Sequence, residues 1–199
     1  MSTRITFLIN PLSGGGDGGA LLSKIKSLSQ KDNSISVFTL DEIVPEQLPS
    51  SEVIVICGGD GTISSLAPKV AEKCSKIGVL PLGTGNDLAR TLDISSELHT
   101  REANEIVSYF LKSSYRELPI FRVKFNQSES SARYLLNYLS IGFDARVAYL
   151  FDKVRSSKIY TPLRSRALNF LTYGLCGLYE LLTLNHRIEA IEIRCDGEF

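Results

Sequence analysis

One stretch constrains the fold of this chain more than any other: residues 53–65 read VIVICGGDGTISS. Its first five residues are apolar and rich in β-branched side chains, which predicts a central parallel strand covered on both faces. Three glycines around Asp60 then end the run. Because ligands of open α/β sheets bind outside the carboxyl ends of the strands, this turn is a candidate site.

The residue types in this turn indicate phosphate chemistry. Gly58, Gly59 and Gly61 can adopt positive φ and bring backbone N–H groups close to an anion. Asp60 repels a phosphate group unless a cation lies between them or the carboxylate is needed to accept a proton. The combination favours Mg-nucleotide chemistry.

Strand signals recur along the first half of the chain, at residues 5–9, 35–40, 52–57 and 77–80. Helical spacing is expected between and after them, over residues 20–28, 63–74 (with Pro68 interrupting) and 101–111. This alternation predicts an α/β fold with a doubly wound, mostly parallel sheet, a Rossmann-like nucleotide domain.

The pattern changes after about residue 115. Residues 116–125 and 134–141 predict two strands joined by the polar loop 126–133, so a second, β-rich domain is expected to start here. We predict a nucleotide-binding domain over 1–117 and a partial β-rich domain over 118–199. Near the end, residues 191–196 alternate in polarity before the hairpin pair Asp196-Gly197. The half-finished hairpin predicts a truncated fold or a partner strand from elsewhere.

Composition and charge exclude several classes of protein. The 22 basic and 22 acidic residues give no net charge, which argues against nucleic-acid binding. Cys57, Cys74, Cys176 and Cys195 form no CxxC pair, so buried free thiols in a reducing compartment are expected. The short apolar run of MSTRITFLIN does not fit a signal peptide, and we predict a cytoplasmic protein.

The longest apolar segment, residues 167–184, is 18 residues long but contains Asn169, Glu180 and two glycines. We expect a buried or interfacial helix there rather than a membrane span. His99 and His186 have no partners at metal-ligand spacing and are not candidate site residues.

Two more glycine-bearing turns follow predicted strands, NPLSGGGDGG after residues 5–9 and PLGTGNDLAR after residues 77–80. In the first, Asn10, Ser13 and the glycines precede a helix whose N-terminus can hold phosphate oxygens. The spacing is neither that of Walker A nor a clear GxGxxG. In the second, Asn86 and Asp87 offer an amide and a carboxylate group at the start of a helix. The alternative is that these two side chains cap that helix.

These motifs carry a family resemblance. GGDGT together with PLGTGNDLAR resembles the catalytic domain of diacylglycerol kinases and their relatives, the sphingosine and ceramide kinases. NPLSGG and NYLSIGFDA, residues 137–145, resemble the same family, and the motifs follow its order. NAD kinases and 6-phosphofructokinases share GGDGT but lack GTGND, so the resemblance favours a lipid kinase.

The resemblance implies an ATP- and Mg-dependent kinase that phosphorylates the primary hydroxyl of diacylglycerol to give phosphatidic acid, with ATP between two domains and lipid bound partly by the second. Asp60 and Asp87 are the candidate magnesium ligands, and Asp60 and Asp144 the candidate catalytic carboxylates. In the alternative interpretation, Asp60 stabilises a turn, Asp87 caps a helix, and Asp144 lies in solvent at the start of a helix. The candidate nucleotide-binding residues are Asn10, Ser13, Gly58, Gly59, Asp60, Gly61, Thr62, Thr84, Gly85, Asn86 and Asp87.

A basic segment predicts peripheral contact with the membrane that contains the lipid substrate. Against one acidic residue, Asp152, it carries six basic residues, for a local charge of +5: Arg146, Lys153, Arg155, Lys158, Arg164 and Arg166. Tyr149, Phe151 and Tyr160 are interleaved, a pattern that suits an anionic membrane surface. An ordinary solvated face and arginines that bind nucleotide phosphates are the alternatives, and a homodimer is left open.

The chain departs from the family pattern at two places. Pro119 stands where many members have an aspartate, and Ile63-Ser64-Ser65 follows GGDGT where bacterial lipid kinases often have Leu-Asn-Glu. The alternatives are therefore a kinase for a sphingoid base or ceramide, and a catalytically silent nucleotide- or lipid-binding fragment.

Overall fold

The structure is a computed structural model of the 199-residue chain. It describes residues 3–42, 44, 47–74, 76–83, 85–124, 132–136, 138–157, 166–183 and 192.

A four-stranded parallel sheet forms the centre of the first part of the chain. Its strands are β1 (Ile5–Ile9), β2 (Ile35–Thr39), β3 (Val53–Gly58) and β4 (Lys76–Pro81). They lie in the order β2-β1-β3-β4, and each neighbouring pair is parallel. The predicted α/β class with a mostly parallel sheet is confirmed.

The helices of the described residues are α1 (Asp17–Ser29), α2 (Asp60–Ala71), α3 (Asp87–Thr91), α4 (Ala103–Lys112), α5 (Phe143–Arg155) and α6 (Arg166–Leu182). A short 3₁₀ turn covers Leu98–Thr100, and the segment Ser13–Gly16 before α1 is a tight loop with non-helical backbone angles. The prediction that Pro68 interrupts the second helix is wrong, because α2 continues through it and Pro68 is buried.

The side chains of the sheet divide into two core clusters, one on each face. Ile5, Phe7 and Ile9 of β1 pack with α1 and α4, whereas Leu8 lies in the cluster that contains Ile63 of α2. β3 alternates in the same way, and all six of its residues are buried. A strand covered on both faces must be apolar throughout, which is why its sequence lacks the alternation of a half-exposed strand.

The predicted hairpin is present but much shorter than expected. β5 (Phe121–Val123) pairs antiparallel with β6 (Arg133–Leu135) over three residue pairs. Pro119 lacks the N–H that would extend the ladder at its start. At the other end β6 stops at Leu135, and Gly142, with φ 80°, precedes α5, which begins at Phe143.

The chain separates into two compact units, Met1–Tyr138 and Leu139–Phe199. The hairpin belongs to the first of these, so the first unit extends beyond residue 117. The functional boundary between 117 and 118 stays a prediction.

The second unit contains α5 and α6 among its described residues. The Arg146 guanidinium on α5 donates to Glu180 on α6, and Glu180 is 3% exposed. No helix in the described part of the chain is both long enough and apolar enough to span a bilayer. Of the predicted C-terminal hairpin at 191–197 the structure describes Glu192 alone, and His186 and Cys195 also lie outside the described residues.

The cysteines that the structure describes are free and buried, as the sequence predicts: Cys57, Cys74 and Cys176. Burial raises the pKa of the Cys57 thiol far above its ordinary value. Cys57 therefore stays a neutral thiol and packs in the core, which excludes it as a nucleophile although it adjoins the glycine turn.

Candidate functional site

The three glycine-bearing turns leave the same edge of the sheet, since they follow parallel strands. The chain goes from β1 to one neighbour, β2, and then crosses to β3 on the other side of β1. This reversal makes the carboxyl ends of β1 and β3 the switch point of the sheet, where ligands of doubly wound folds bind. Asn10 follows β1 and Gly59 follows β3 at this point.

Asn10 ties the first two turns together. Its backbone N–H donates to the Cys57 carbonyl at 2.9 Å, and its side-chain Nδ2 donates to Thr62 Oγ1 at 3.0 Å. Its Oδ1 accepts the Leu12 N–H at 3.1 Å. The predicted site residues Asn10 and Thr62, 52 positions apart in sequence, are therefore in direct contact.

The glycine loop, residues Ser13–Gly16, takes a backbone shape that side chains would oppose. Gly14, Gly15 and Gly16 have φ values of 71°, 66° and 131°. A run of such residues can turn successive N–H groups towards one anion. Ser13 anchors the start of the loop, because its N–H donates to the Asn10 carbonyl at 3.1 Å.

Helix α1 begins earlier than the sequence predicts. Asp17 is its first residue, so Gly18 and Gly19 lie inside the helix and not in the preceding loop. A Cβ atom on Gly18 would overlap the Asn10 carbonyl oxygen. The glycine is needed because the first turn of α1 packs directly on the backbone that leaves β1.

The second turn is shorter than the GGDGT motif suggests. Gly59 precedes the helix, and Asp60, Gly61 and Thr62 form the first turn of α2. This arrangement directs the N-terminus of a 12-residue helix towards the edge of the sheet. The helix dipole and the unpaired N–H groups there favour an anion.

The third turn packs on the second, backbone to backbone. A Cβ atom on Gly83 would lie 2.7 Å from the Cα of Gly59 and 2.8 Å from Asn86 Oδ1. The Leu82 N–H also donates to the Gly58 carbonyl at 2.9 Å. Only glycine at position 83 permits this approach, which joins the turns after β3 and β4 into one surface.

Asn86 does not cap α3, contrary to the alternative considered from the sequence. It has left-handed backbone angles (φ 53°, ψ 43°), and its Nδ2 donates back to the Gly83 carbonyl at 2.8 Å. Its Oδ1 is buried and accepts no hydrogen bond within the described part of the chain. Such an atom is an acceptor available to a ligand. Thr84, another predicted site residue, lies outside the described residues.

Asp60 supplies the hydrogen bond that α3 would otherwise lack. Its Oδ1 accepts the N–H of Leu88, in the first turn of α3, at 3.2 Å. The carboxylate therefore links the start of α2 to the start of α3. This contact leaves Oδ2, which accepts no hydrogen bond among the described residues.

The free oxygen of Asp60 converges with Asp87 beside Gly85. A Cβ atom on Gly85 would lie 3.3 Å from Asp60 Oδ2 and 3.9 Å from Asp87 Oδ2. Both carboxylates therefore face the same small volume next to a backbone without a side chain. Two acidic oxygens so placed are suited to a hard divalent cation.

Asp87 is held by two further residues. Arg90, one helical turn later, donates from its guanidinium to Asp87 Oδ1 at 2.9 Å and to the Gly85 carbonyl at 2.8 Å. The Tyr138 hydroxyl donates to Asp87 Oδ2 at 3.2 Å. Both carboxylate oxygens of Asp87 thus have protein donors, whereas Asp60 keeps one oxygen open.

These residues fit a magnesium nucleotide better than a metal held by protein alone. The described residues contain no group of three or more His, Cys, Asp or Glu that could enclose a metal ion. Mg²⁺ in phosphoryl-transfer sites is typically held by one or two carboxylates together with substrate phosphates. Asp60 and Asp87, the glycine loop and the unpaired Asn86 Oδ1 match that requirement.

Asp144 belongs to the second unit and lies in the first turn of α5. Its Oδ2 accepts the Ser140 hydroxyl at 2.5 Å, and its Oδ1 accepts the Tyr173 hydroxyl at 3.2 Å. A carboxylate in a first helical turn is also stabilised by the helix dipole. These contacts agree with the structural alternative for Asp144, and its catalytic role stays a prediction.

Part of the basic segment is occupied by internal ion pairs. Arg146 pairs with Glu180, and Arg155 pairs with Asp152 at 3.3 Å while lying over the Phe151 ring. Lys158, Arg164 and the side chain of Arg166 lie outside the described residues. Contact of this segment with a membrane stays a prediction.

Comparison with known families identifies both parts of the chain. Residues 4–122 match the diacylglycerol kinase catalytic domain, and residues 134–199 match the diacylglycerol kinase accessory domain. The chain belongs to the diacylglycerol kinase family. The first match contains all three glycine turns, and the second begins just before the NYLSIGFDA motif.

Individual members of the diacylglycerol kinase family align along nearly the whole chain. Probable diacylglycerol kinase 3 of Caenorhabditis elegans is 34% identical over 96% of the chain. The eye-specific diacylglycerol kinase of Drosophila melanogaster and the mouse diacylglycerol kinase iota are each 29% identical, over 98% and 95%. The chain spans 27%, 15% and 20% of the length of these three relatives.

Two residues at the site were missed by the sequence argument. Arg90 stands three positions after Asp87, a spacing that brings charges together on a helix, and this signal could have identified it. Tyr138 lies in the NYLSIGFDA motif, but 51 positions separate it from Asp87, and no local pattern predicts their contact.

Proposed function

We propose that this chain carries the phosphoryl-transfer site of a diacylglycerol kinase, which moves the γ-phosphoryl group of ATP to the primary hydroxyl of diacylglycerol and forms phosphatidic acid. The observation that supports this most is the convergence of Asp60 Oδ2 and Asp87 Oδ2 beside Gly85. The convergence lies where three glycine turns meet at the switch point of the sheet. Phosphate groups and their cation need this combination of backbone N–H groups and carboxylates.

The backbone of the first two turns is suited to bind the nucleotide phosphates. The positive-φ glycines Gly14, Gly15 and Gly16 present N–H groups without side chains in the way. The N-termini of α1 and α2 add the positive end of a helix dipole. The side-chain hydrogen bond from Asn10 to Thr62 holds the two turns together.

In the transfer step, the lipid hydroxyl oxygen forms a bond to the γ-phosphorus and the bond from that phosphorus to the β–γ bridging oxygen breaks. ADP leaves with the bond electrons, and the hydroxyl proton passes to a carboxylate. Bound Mg²⁺ supplies neutralisation of the phosphate charge. We assign Asp60 and Asp87 to hold the cation and Asp60 to accept the proton, and the catalytic role of Asp144 stays a prediction.

Asp60 is the stronger candidate of the two site carboxylates for contact with the reacting groups. No donor to its Oδ2 is found among the described residues, whereas Arg90 and Tyr138 donate to the two oxygens of Asp87. The assignment of diacylglycerol as the acceptor rests on the family to which the chain belongs and on its accessory-domain match at 134–199.

Transfer of labelled phosphate tests the proposal directly. The purified chain would be incubated with γ-labelled Mg-ATP and mixed micelles that contain diacylglycerol, sphingosine or ceramide, with nucleotide binding measured in parallel. We expect labelled phosphatidic acid from diacylglycerol alone. A full-length family member provides the positive control.

Three other results would contradict the proposal in different ways. Product from sphingosine or ceramide but not from diacylglycerol would identify another lipid kinase. Binding of Mg-ATP without product from any lipid would identify a nucleotide-binding fragment. Failure to bind nucleotide at all would show that the glycine turns do not form a phosphate-binding site.

Replacing Tyr138 by Phe should reduce transfer modestly. The substitution removes one hydrogen bond to Asp87 Oδ2, while Arg90 still holds Oδ1. A hydrogen bond at a partly exposed site contributes about 1 kcal/mol, so we expect a fall of about fivefold in kcat. Initial rates at saturating Mg-ATP measure this effect.

Tyr134→Phe is a matched control, because Tyr134 is an exposed tyrosine on β6 in the same unit. It should leave the rate unchanged. Equal losses in both variants would show that the hydroxyl of Tyr138 has no specific effect on Asp87.

A further inference from the structure

His99 contacts the start of α1 in a way that the proposed mechanism does not use. Its Nε2 lies 3.6 Å from Asp17 Oδ2, and its Nδ1 lies 2.9 Å from the Ser96 carbonyl oxygen. The His99 side chain is 17% exposed and that of Asp17 is 48% exposed. The pair is therefore partly shielded from solvent.

Both ring nitrogens of His99 face oxygen atoms that only accept hydrogen bonds, a carbonyl and a carboxylate. Nδ1 is within hydrogen-bond distance of the Ser96 carbonyl, whereas Nε2 is too far from Asp17 Oδ2 for a hydrogen bond and is in ion-pair contact with it. A positive charge on the ring would lie next to the Asp17 carboxylate.

Asp17 lies against the glycine loop. A Cβ atom on Gly14 would be 2.8 Å from the Asp17 Cβ and 2.9 Å from its Oδ2. Asp17 is also the first residue of α1, whose N-terminus is proposed to face phosphate. A carboxylate at this place opposes the approach of a second anion unless a positive charge compensates it.

The turn that carries His99 is firmly anchored to α1. Lys24 Nζ donates to the carbonyls of His99, Thr100 and Arg101 at 3.4, 3.3 and 2.6 Å. Leu98 is 1% exposed and packs in the core. These contacts hold the backbone of the turn next to α1.

In the described part of the chain, the other charged groups near this ring come from α1 and from the turn itself. α1 contributes Asp17 and Lys24, and the turn itself is flanked by Glu97 and Arg101. β4, which contacts the turn, carries no titratable side chain after Lys76. Asp17 is the carboxylate that the structure brings to the ring of His99.

We propose that His99 is a positioning residue for nucleotide binding. In its protonated form it neutralises and orients Asp17, so that the glycine loop Ser13–Gly16 can accept a nucleotide phosphate. This inference rests on the proposed function, because it requires phosphate at that loop. It predicts weaker nucleotide binding whenever Asp17 is charged and His99 is neutral or absent.

Equilibrium binding of Mg-ATP to His99→Gln, Asp17→Asn and the double variant tests the inference without any need for catalysis. Exposed ion pairs contribute up to about 1 kcal/mol, so His99→Gln should raise the dissociation constant about fivefold. Asp17→Asn should bind at least as tightly as the unmodified chain. The double variant should match Asp17→Asn, because no carboxylate remains to be neutralised.

The pH dependence provides a second readout that needs only the surface variant Asp17→Asn. Between about pH 6 and about pH 8 histidine side chains lose their charge, so binding to the unmodified chain should weaken more steeply than binding to Asp17→Asn. Parallel pH profiles would overturn the inference. An unchanged affinity of His99→Gln for Mg-ATP would also overturn it. The same applies if His99→Gln lowers the affinity equally in the unmodified chain and in the Asp17→Asn variant.

These outcomes differ from failure of the proposed function. If the unmodified chain binds no nucleotide, the phosphate site is wrong and the role of His99 falls with it. If the unmodified chain binds Mg-ATP normally and the variants behave alike, only the role of His99 is wrong.

Discussion

Asp60→Asn should lower the rate of phosphate transfer by about 10²–10³-fold while leaving the protein folded. The amide keeps an oxygen that can accept the Leu88 N–H, so the link from α2 to α3 survives. It removes the charge on the atom that faces Gly85 and Asp87. The experiment thereby separates the charge of Asp60 from its structural hydrogen bond.

Asp60→Ala should give a similar loss of rate with an added loss of stability. Alanine leaves the Leu88 N–H without its acceptor, a change comparable to removal of a helix cap, which costs about 1 kcal/mol. Turnover with Mg-ATP and diacylglycerol, together with urea denaturation, measures both effects.

Asp41→Asn is the control for loss of one negative charge, since Asp41 lies in an exposed turn after β2. It should change neither the rate nor the stability. If the Asp60→Asn variant keeps a rate within about threefold of the unmodified chain, the charge of Asp60 takes no part in phosphate transfer. Its carboxylate would then serve only to connect the two helices.

Gly83→Ala should destabilise the first unit by about 2 kcal/mol and weaken nucleotide binding at the same time. Its Cβ would lie 2.7 Å from the Cα of Gly59, which is backbone and cannot rotate away. The turns after β3 and β4 must then separate. Separation moves Asp60 away from Gly85 and Asp87, so affinity for Mg-ATP should fall with stability.

Gly61→Ala provides the matched stability control. A Cβ atom on Gly61 would have no heavy atom within 4 Å, and the residue occupies the first turn of α2. Alanine in a helix is favoured over glycine by about 0.5–1 kcal/mol, so the free energy of unfolding should stay equal or rise. Urea denaturation of both variants measures the difference. A Gly83→Ala variant as stable as Gly61→Ala would contradict the close packing of the two turns.

Local patterns predicted much of this fold because their causes are local. The uninterrupted apolar run 53–57 reflects a strand covered on both faces, and the prediction of a parallel sheet from it is confirmed. The predicted ends of the helices and strands were less accurate than the predicted type of each element. The run 134–141 has side chains typical of a strand, but β6 ends at Leu135 and α5 begins at Phe143 after Gly142.

The sequence by itself determined the parallel strands, the glycine turns at their carboxyl ends and the membership of the diacylglycerol kinase family. Side-chain periodicity and turn chemistry act over a few residues and can be recognised without the fold. Only the tertiary structure decided which groups meet. Asp60 bonds to Leu88, Gly59 packs on Gly83, and His99 faces Asp17. Each contact joins segments that follow different strands, so it depends on the strand order β2-β1-β3-β4, which no local pattern contains.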